Sequence, residues 1–310
     1  MEHIAIIGAG TMGHALAAVF SMGGHTVSLY DTDAKTLNSA TDRILNIFDT
    51  INLSNGYEHK LENEDINRIT LCHNLPEAVI NADIVLEAII ESPKVKSELY
   101  EKLISLMRKE AILASNSSHL DIFKLIPKEL QSRSIITHWY TPPYIIDLVD
   151  VVPGPETEQR HTKKIVKILE NLKKEPLVFK EFLQGYIANR VQSAINAEVC
   201  GLLDTGLVTP KDIDISIREG LALRMLVLGV LAKADFTDLN LMDSGLRNKK
   251  NPIESKIITE LLKKGDIGIK SGKGFYDWGN EDVDVLSKDR DLRLLKIKST
   301  LADVKMMLGK

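Results

Sequence analysis

Long apolar runs are missing from this chain of 310 residues. None reaches the roughly 20 residues that a membrane-crossing helix needs, so no membrane partner is expected. Cysteine is scarce. Cys72 and Cys200 lie far apart and without metal-ligand spacing, which argues against a disulfide framework and against a bound metal. No charge of one sign dominates: the net charge is −4 and no basic cluster occurs, so nucleic acid is not an expected partner. No internal repeat or low-complexity tract interrupts the sequence.

What is present is ordinary for a globular enzyme, with 44% hydrophobic and 26% charged residues. The length exceeds one typical domain and predicts two, around separate cores. The first apolar strand begins at His3, which leaves no room for a signal peptide ahead of it. With two scattered thiols, this predicts a reduced, cytoplasmic protein.

The strand His3 to Ile7 runs directly into Gly8-Ala9-Gly10-Thr11-Met12-Gly13 and an amphipathic stretch carrying Ala15, Leu16, Val19 and Phe20. A second apolar run, Thr26 to Tyr30, ends at Asp31, 18 positions after the third glycine. Alone, G-x-G-x-x-G is a weak signal; inside a full strand–turn–helix–strand unit it reads as a dinucleotide site. Gly8 makes the tight turn, Gly10 admits a pyrophosphate to the backbone, and Gly13 lets helix and strand close up. The pyrophosphate meets free amides at the helix start near Thr11 and Met12. Asp31 accepts hydrogen bonds from the adenosine ribose hydroxyls and repels a 2′-phosphate, which favours NAD over NADP.

Strand and helix patterns alternate onward. Short strands are expected at Arg68 to Leu71, Ala82 to Ala88, Ala111 to Ser115, Ser134 to His138, Asp147 to Val152 and Pro176 to Lys180. Helices are expected over Lys94 to Lys109, Asp121 to Pro127 and Glu158 to Lys173. The alternation specifies an α/β, doubly wound Rossmann-type sheet over residues 1–183, with ligands at the carboxyl ends of its strands. Residues 184–310 read as all-α. A long helix from Gly185 has an apolar stripe of Ile187, Val191, Ile195, Val199 and Leu202, and Gly206 ends it. Thr209, Pro210 and Asp212 form the capping signature of the next helix.

Polar residues gather at the strand ends. Asn116-Ser117-Ser118 follows one strand, and His138 ends another. Asp150 sits in the apolar run Leu148 to Val152, where a carboxylate needs a partner. Asn189 lies off the apolar stripe of its helix. These segments resemble the 3-hydroxyacyl-CoA dehydrogenase family over nearly the whole chain. The matching motifs are Gly8 to Gly13, Glu87-Ala88-Ile89-Ile90-Glu91, Ser115 to Ser118, and His138 with Pro142 and Leu148 to Val151. Gly185-Tyr186-Ile187-Ala188-Asn189-Arg190 and Gly272-Lys273-Gly274-Phe275-Tyr276 complete the set. The resemblance implies an NAD domain, a helical domain that makes a homodimer, and an active site in the cleft between them. It implies His138 as general base, Asp150 as the carboxylate that orients the imidazole, and Ser118 and Asn189 as hydrogen-bond partners of the reacting oxygen. It also puts Glu91, Lys96 and Asn116 at the cofactor. Asp150 stands where the family has glutamate, one methylene longer, and Thr141 where many members have asparagine. His119 is expected to serve the pocket or its loop, and Lys273 a structural turn.

Within the family, Gly206 to Asp214 and Gly220-Leu221-Ala222-Leu223-Arg224 are similar to the lambda-crystallin and L-gulonate 3-dehydrogenase branch, which acts on free hydroxy acids. Arg224 is then a fork for the substrate carboxylate. The stretch Thr41 to Ile66 carries Arg43 and Lys60 against Asp42, Asp49, Glu58, Glu62, Glu64 and Asp65, a poor surface for the phosphates of CoA. The expected reaction is NAD-dependent interconversion of a 3-hydroxy acid and its 3-keto acid. The alternatives are a short-chain CoA thioester as substrate, or a crystallin-like protein that binds NADH without turnover.

Overall fold

The structure, a computed structural model, describes residues 1–54, 63–249, 251–302 and 304. It forms two compact units, Met1–Ser193 and Ala194–Lys310.

Eight strands build the first unit: β1 His3–Ile7, β2 Thr26–Tyr30, β3 Ile69–Cys72, β4 Ile84–Glu87, β5 Ile112–Ser115, β6 Ser134–Trp139, β7 Leu148–Pro153 and β8 Glu175–Val178. They lie in the order β3-β2-β1-β4-β5-β6-β7-β8. The central strands are buried on both faces, which is why they read as unbroken apolar runs rather than alternations. Their side chains still alternate between two cores. Ile4 and Ile6 join Leu16, Leu29, Ile44 and Phe48 on one face, while Ala5 and Ile7 join Val85, Tyr100 and Leu113 on the other. Helix Gly13–Met22 is dominated by small residues on its buried side, including Ala15, Ala17 and Ala18.

Two features depart from the sequence expectation. All neighbouring strands are parallel except β6 and β7, which are antiparallel. The expected helix Asp121 to Pro127 is a single 3₁₀ turn, Ile122–Lys124, followed by helix Lys128–Gln131. Pro127 has no N–H to continue an α-helix and occupies the N-cap of the next one instead. Glu58, Lys60 and Glu62 of the acidic stretch lie outside the described residues.

The second unit is helical. Helix Ile187–Asp204 begins two residues after the expected Gly185 because Gly185 and Tyr186 both have positive φ, 78° and 47°. Thr209 and Asp212 form the reciprocal capping box, with Pro210 in the first turn. A π-helical stretch, Ser216–Ala222, leads into Leu223–Thr237, which kinks at Gly229. Asp235, 1% exposed, accepts hydrogen bonds from the backbone of Phe275 and Tyr276 and from Trp278 Nε1. A Cβ at Gly274 would fall 2.2 Å from that carboxylate, so the Lys273 turn has a structural reason for its second glycine. Among the described residues no helix is long and apolar enough to cross a membrane.

Candidate active site

The three glycines of the first turn occupy different steric situations. A Cβ on Gly13 would lie 1.6 Å from the Gly8 carbonyl oxygen, and one on Gly8 would lie 2.6 Å from the Ala88 carbonyl oxygen. Around Gly10 there is nothing within 4 Å. Two glycines therefore permit packing, and the third leaves open space over the backbone. Asp31 sits at the end of β2. Its Oδ2 accepts a 2.7 Å hydrogen bond from the Ala9 amide and its Oδ1 a 2.9 Å bond from Asp33 N. A cavity of about 390 Å³ opens here, lined by Gly8, Gly10, Asp31 and Leu75 and by Val95, Glu98 and Lys102 of helix Pro93–Leu106. An open glycine, a carboxylate at the second strand end and an apolar-walled cavity beside them fit an adenine dinucleotide. Thr11 is exposed and Met12 half-buried at the start of the helix.

Arg43 braces this turn from below. Its Nη2 donates to the carbonyls of Ala9 (2.8 Å) and Thr36 (2.9 Å), and its Nη1 lies 3.0 Å from His14 Nδ1. Burial, opposed by a hydrogen bond with the Gly10 carbonyl and reinforced by Arg43, lowers the His14 pKa. Arg43 is thereby committed to backbone carbonyls rather than open to a ligand.

A buried ionic network ties the ends of β4 and β5 together. Glu87, wholly buried, accepts from Lys96 Nζ (2.7 Å), Ile89 N (2.9 Å), Tyr100 OH (2.8 Å) and Ser115 Oγ (2.6 Å). Four donors on one carboxylate satisfy it, which is what makes a charge at this depth tolerable. Lys96, also wholly buried, reaches Glu91 at 3.2 Å. Glu91 Oε1 in turn takes Ser117 Oγ and the amides of Ser118, His119 and Leu120, at 2.6 to 3.2 Å. Burial pushes the Glu91 pKa up, but the Ser117 hydroxyl, the His119 amide and the Lys96 ammonium take it down to about 2. The loop that carries Ser118 is thus fastened by a carboxylate that stays charged across the neutral range. Asn116 joins neighbouring strand ends, accepting from Trp139 N at 2.8 Å.

His138 and Asp150 are direct cross-strand partners in the antiparallel β6–β7 pair. Side chains at paired positions share a face, and His138 Nδ1 lies 3.0 Å from Asp150 Oδ2 with both residues buried. The carboxylate can only accept, so Nδ1 carries the hydrogen and Nε2 keeps its lone pair. Tyr186 stacks on the imidazole at 4.4 Å and 17°, and Tyr140 meets it edge-on at 4.6 Å and 67°. The Tyr186 hydroxyl donates to the Ser117 carbonyl at 2.6 Å, linking the Ser118 loop to the histidine. The turn after His138 touches the glycine turn, since Thr141 Oγ1 donates to Met12 Sδ at 3.0 Å.

The structure thus brings Glu91, Lys96, Asn116, Ser118, His138 and Asp150 to the strand ends beside the glycine turn. Asn189 sits half-buried in the first turn of helix Ile187–Asp204 and makes no hydrogen bond with the dyad among the described residues. Arg224 belongs to the second unit, where it is exposed and its Nε donates to the Gly220 carbonyl at 2.8 Å. His119 is exposed. Sequence reasoning assigned no role to Glu87, Tyr100, Tyr140 or Tyr186. Glu87 carried one legible signal, a charge ending an apolar strand; the tyrosines carried none that distinguishes a site residue from a core one.

Residues 3–182 match the family model of the 3-hydroxyacyl-CoA dehydrogenase NAD binding domain, and residues 185–278 that of the C-terminal domain. The chain is 27% identical to 5-formyl-3-hydroxy-2-methylpyridine 4-carboxylate 5-dehydrogenase of Mesorhizobium japonicum, over 97% of this chain and 98% of that one. It is 30% identical to the human lambda-crystallin homolog over 74% of this chain and 72% of the relative. A 3-hydroxyacyl-CoA dehydrogenase structure from Archaeoglobus fulgidus superposes with a TM-score of 0.79 at 26% identity, covering 97% and 99% of the two chains.

Proposed function

The chain belongs to the 3-hydroxyacyl-CoA dehydrogenase family and is an NAD-dependent dehydrogenase, and from that premise we propose that it interconverts a free 3-hydroxy acid and its 3-keto acid. The observation that carries this reading is the His138–Asp150 pair, 3.0 Å apart, beside the glycine turn. Bound NAD would supply the acceptor for the hydride of the carbinol carbon. Gly8, Gly10, Thr11, Met12, Gly13 and Asp31 would hold its adenosine and pyrophosphate, and Glu91, Lys96 and Asn116 would shape the nicotinamide-ribose end. His138 Nε2 takes the proton of the substrate hydroxyl in oxidation and returns it in reduction. Asp150 accepts from Nδ1–H and stabilises the imidazolium that forms, while Ser118 and Asn189 donate to the reacting oxygen.

The free acid is favoured over a CoA thioester by two observations. Arg224 forms no ion pair among the described residues; Glu219 pairs instead with Arg218 and Asp235 is committed to the aromatic turn. Arg43, the one described cation within residues 41–66, is spent on backbone carbonyls, so that acidic stretch offers little to a polyphosphate. The Mesorhizobium relative is itself named for a carboxylate substrate. We further propose a homodimer in the reducing cytoplasm. Both cysteines are free, and Leu226, Val230, Leu241 and Ile257 of the helical unit leave half or more of their surface exposed in the single chain.

Steady-state kinetics of Arg224→Met test the carboxylate fork. KM for a free hydroxy acid is expected to rise about 10- to 100-fold, the equivalent of one charge-assisted hydrogen bond, with little change for the matching thioester. Unchanged free-acid kinetics would remove Arg224 from the site.

A further inference from the structure

The dyad of this chain is built with the shorter acid, and the structure shows what else holds that acid in place. Asp150 is 1% exposed. Its Oδ1 is buried and has no hydrogen-bond partner among the described residues. Both of its contacts fall on Oδ2: His138 Nδ1 at 3.0 Å and the phenol of Tyr140 at 2.7 Å. Among the described residues, Tyr140 is therefore the sole donor to the carboxylate besides the imidazole. An aspartate has one rotatable bond beyond Cβ, and with nothing on Oδ1 only Tyr140 decides which oxygen faces the histidine. The same ring packs edge-on against His138 at 4.6 Å, so one side chain touches both members of the pair.

We propose that Tyr140 is a positioning residue of the dyad: its phenol pins Asp150 Oδ2 on the line to His138 Nδ1 and so stands in for the methylene that aspartate lacks. This rests on the reading of His138 as the base. Burial and then the Asp150 hydrogen bond raise the Tyr140 pKa, so the phenol keeps the hydrogen that it donates. Tyr186, on the other face of the imidazole, is likewise raised by burial and by the charges of Asp150 and Glu91. Among the described residues the titratable groups packed on His138 are thus Asp150 from β7, Tyr140 directly after β6 and Tyr186 from the turn before helix Ile187–Asp204, with Glu91 beyond it. Loss of the Tyr140 phenol frees Oδ2 to turn off the line to Nδ1–H, which weakens the hydrogen bond and the nearby charge that favour the imidazolium.

The test is Tyr140→Phe, which keeps the ring and removes only the donor. Titrating the His138 ring by NMR, with His138→Ala to assign its signal, reads the dyad without any substrate. The ring is expected to titrate at lower pH by about half a unit to one unit. With a free 3-hydroxy acid, kcat is expected to fall about 10- to 100-fold, the loss of one hydrogen bond to a charged group. KM and NADH affinity should stay within threefold, which also shows that the variant folds. In the oxidation direction the acid limb of kcat/KM should move down by the same amount as the ring titration. A ring titration that is unmoved or shifted up, or a kcat within twofold of the parent, overturns the proposal for Tyr140. Full turnover by His138→Ala would instead overturn the base assignment on which it depends.

Discussion

Replacing His138 with alanine is expected to lower kcat by about 10²- to 10⁴-fold, the usual contribution of a positioned general base. The imidazole is the group whose free nitrogen, Nε2, is set by a partner on the other nitrogen, Asp150 at 3.0 Å. Once it is gone, the substrate hydroxyl has only water to take its proton. NADH affinity should be nearly intact, because the glycine turn, Asp31 and their cavity do not involve His138. The two readouts together matter: lost binding would mean collapse of the strand end rather than loss of a base. The acid limb of kcat/KM, which reports protonation of the base in the oxidation direction, should disappear in the variant. Steady-state rates across pH, beside a fluorescence titration with NADH, check all of this. A variant with parental turnover would leave the dyad a structural pair.

The second large effect separates binding from folding within one loop. Gly13→Ala places a methyl 1.6 Å from a backbone oxygen of Gly8, and neither side can move without shifting β1 or helix Gly13–Met22. A destabilisation of about 3 kcal/mol is expected for such overpacking, roughly 6–12 °C off the midpoint of a unit this size. Gly10→Ala meets nothing within 4 Å. Its midpoint should be unchanged, while NADH affinity falls at least about tenfold because the methyl occupies the approach of the pyrophosphate. Calorimetry and NADH titration of both variants read the contrast. Equal behaviour of the two would mean that the steric difference at these positions has no bearing on cofactor binding.

The glycine turn was legible in the sequence because its chemistry is local. Turn, helix start and second strand are consecutive, and each glycine answers a constraint set within a few residues. The capping box at Thr209 and Asp212 was legible for the same reason. The pairing of His138 with Asp150 had to come from the resemblance, since nothing local specifies it. A buried parallel strand and a buried antiparallel one present the same apolar run, so the reversal of β7 that sets these residues opposite each other leaves no mark on Leu148 to Val152. Glu91 and Lys96 reach the cofactor only through the resemblance. The burial of Lys96 and the grip of Glu91 on the Ser118 loop depend on where β4 and β5 end in space. Tyr140 was invisible in another way: an aromatic in a stiff turn suggests packing, and only the nearby unpaired oxygen of Asp150 gives its hydroxyl a task.

The most direct measurement of the account is NAD reduction, followed by absorbance, with a panel of short free 3-hydroxy acids set against the matching CoA thioesters. The account predicts NADH formation from at least one free acid, with kcat/KM above that of its thioester. Preference for the thioester would contradict the free-acid assignment, and tight NADH binding with no turnover of either class would contradict the enzyme itself.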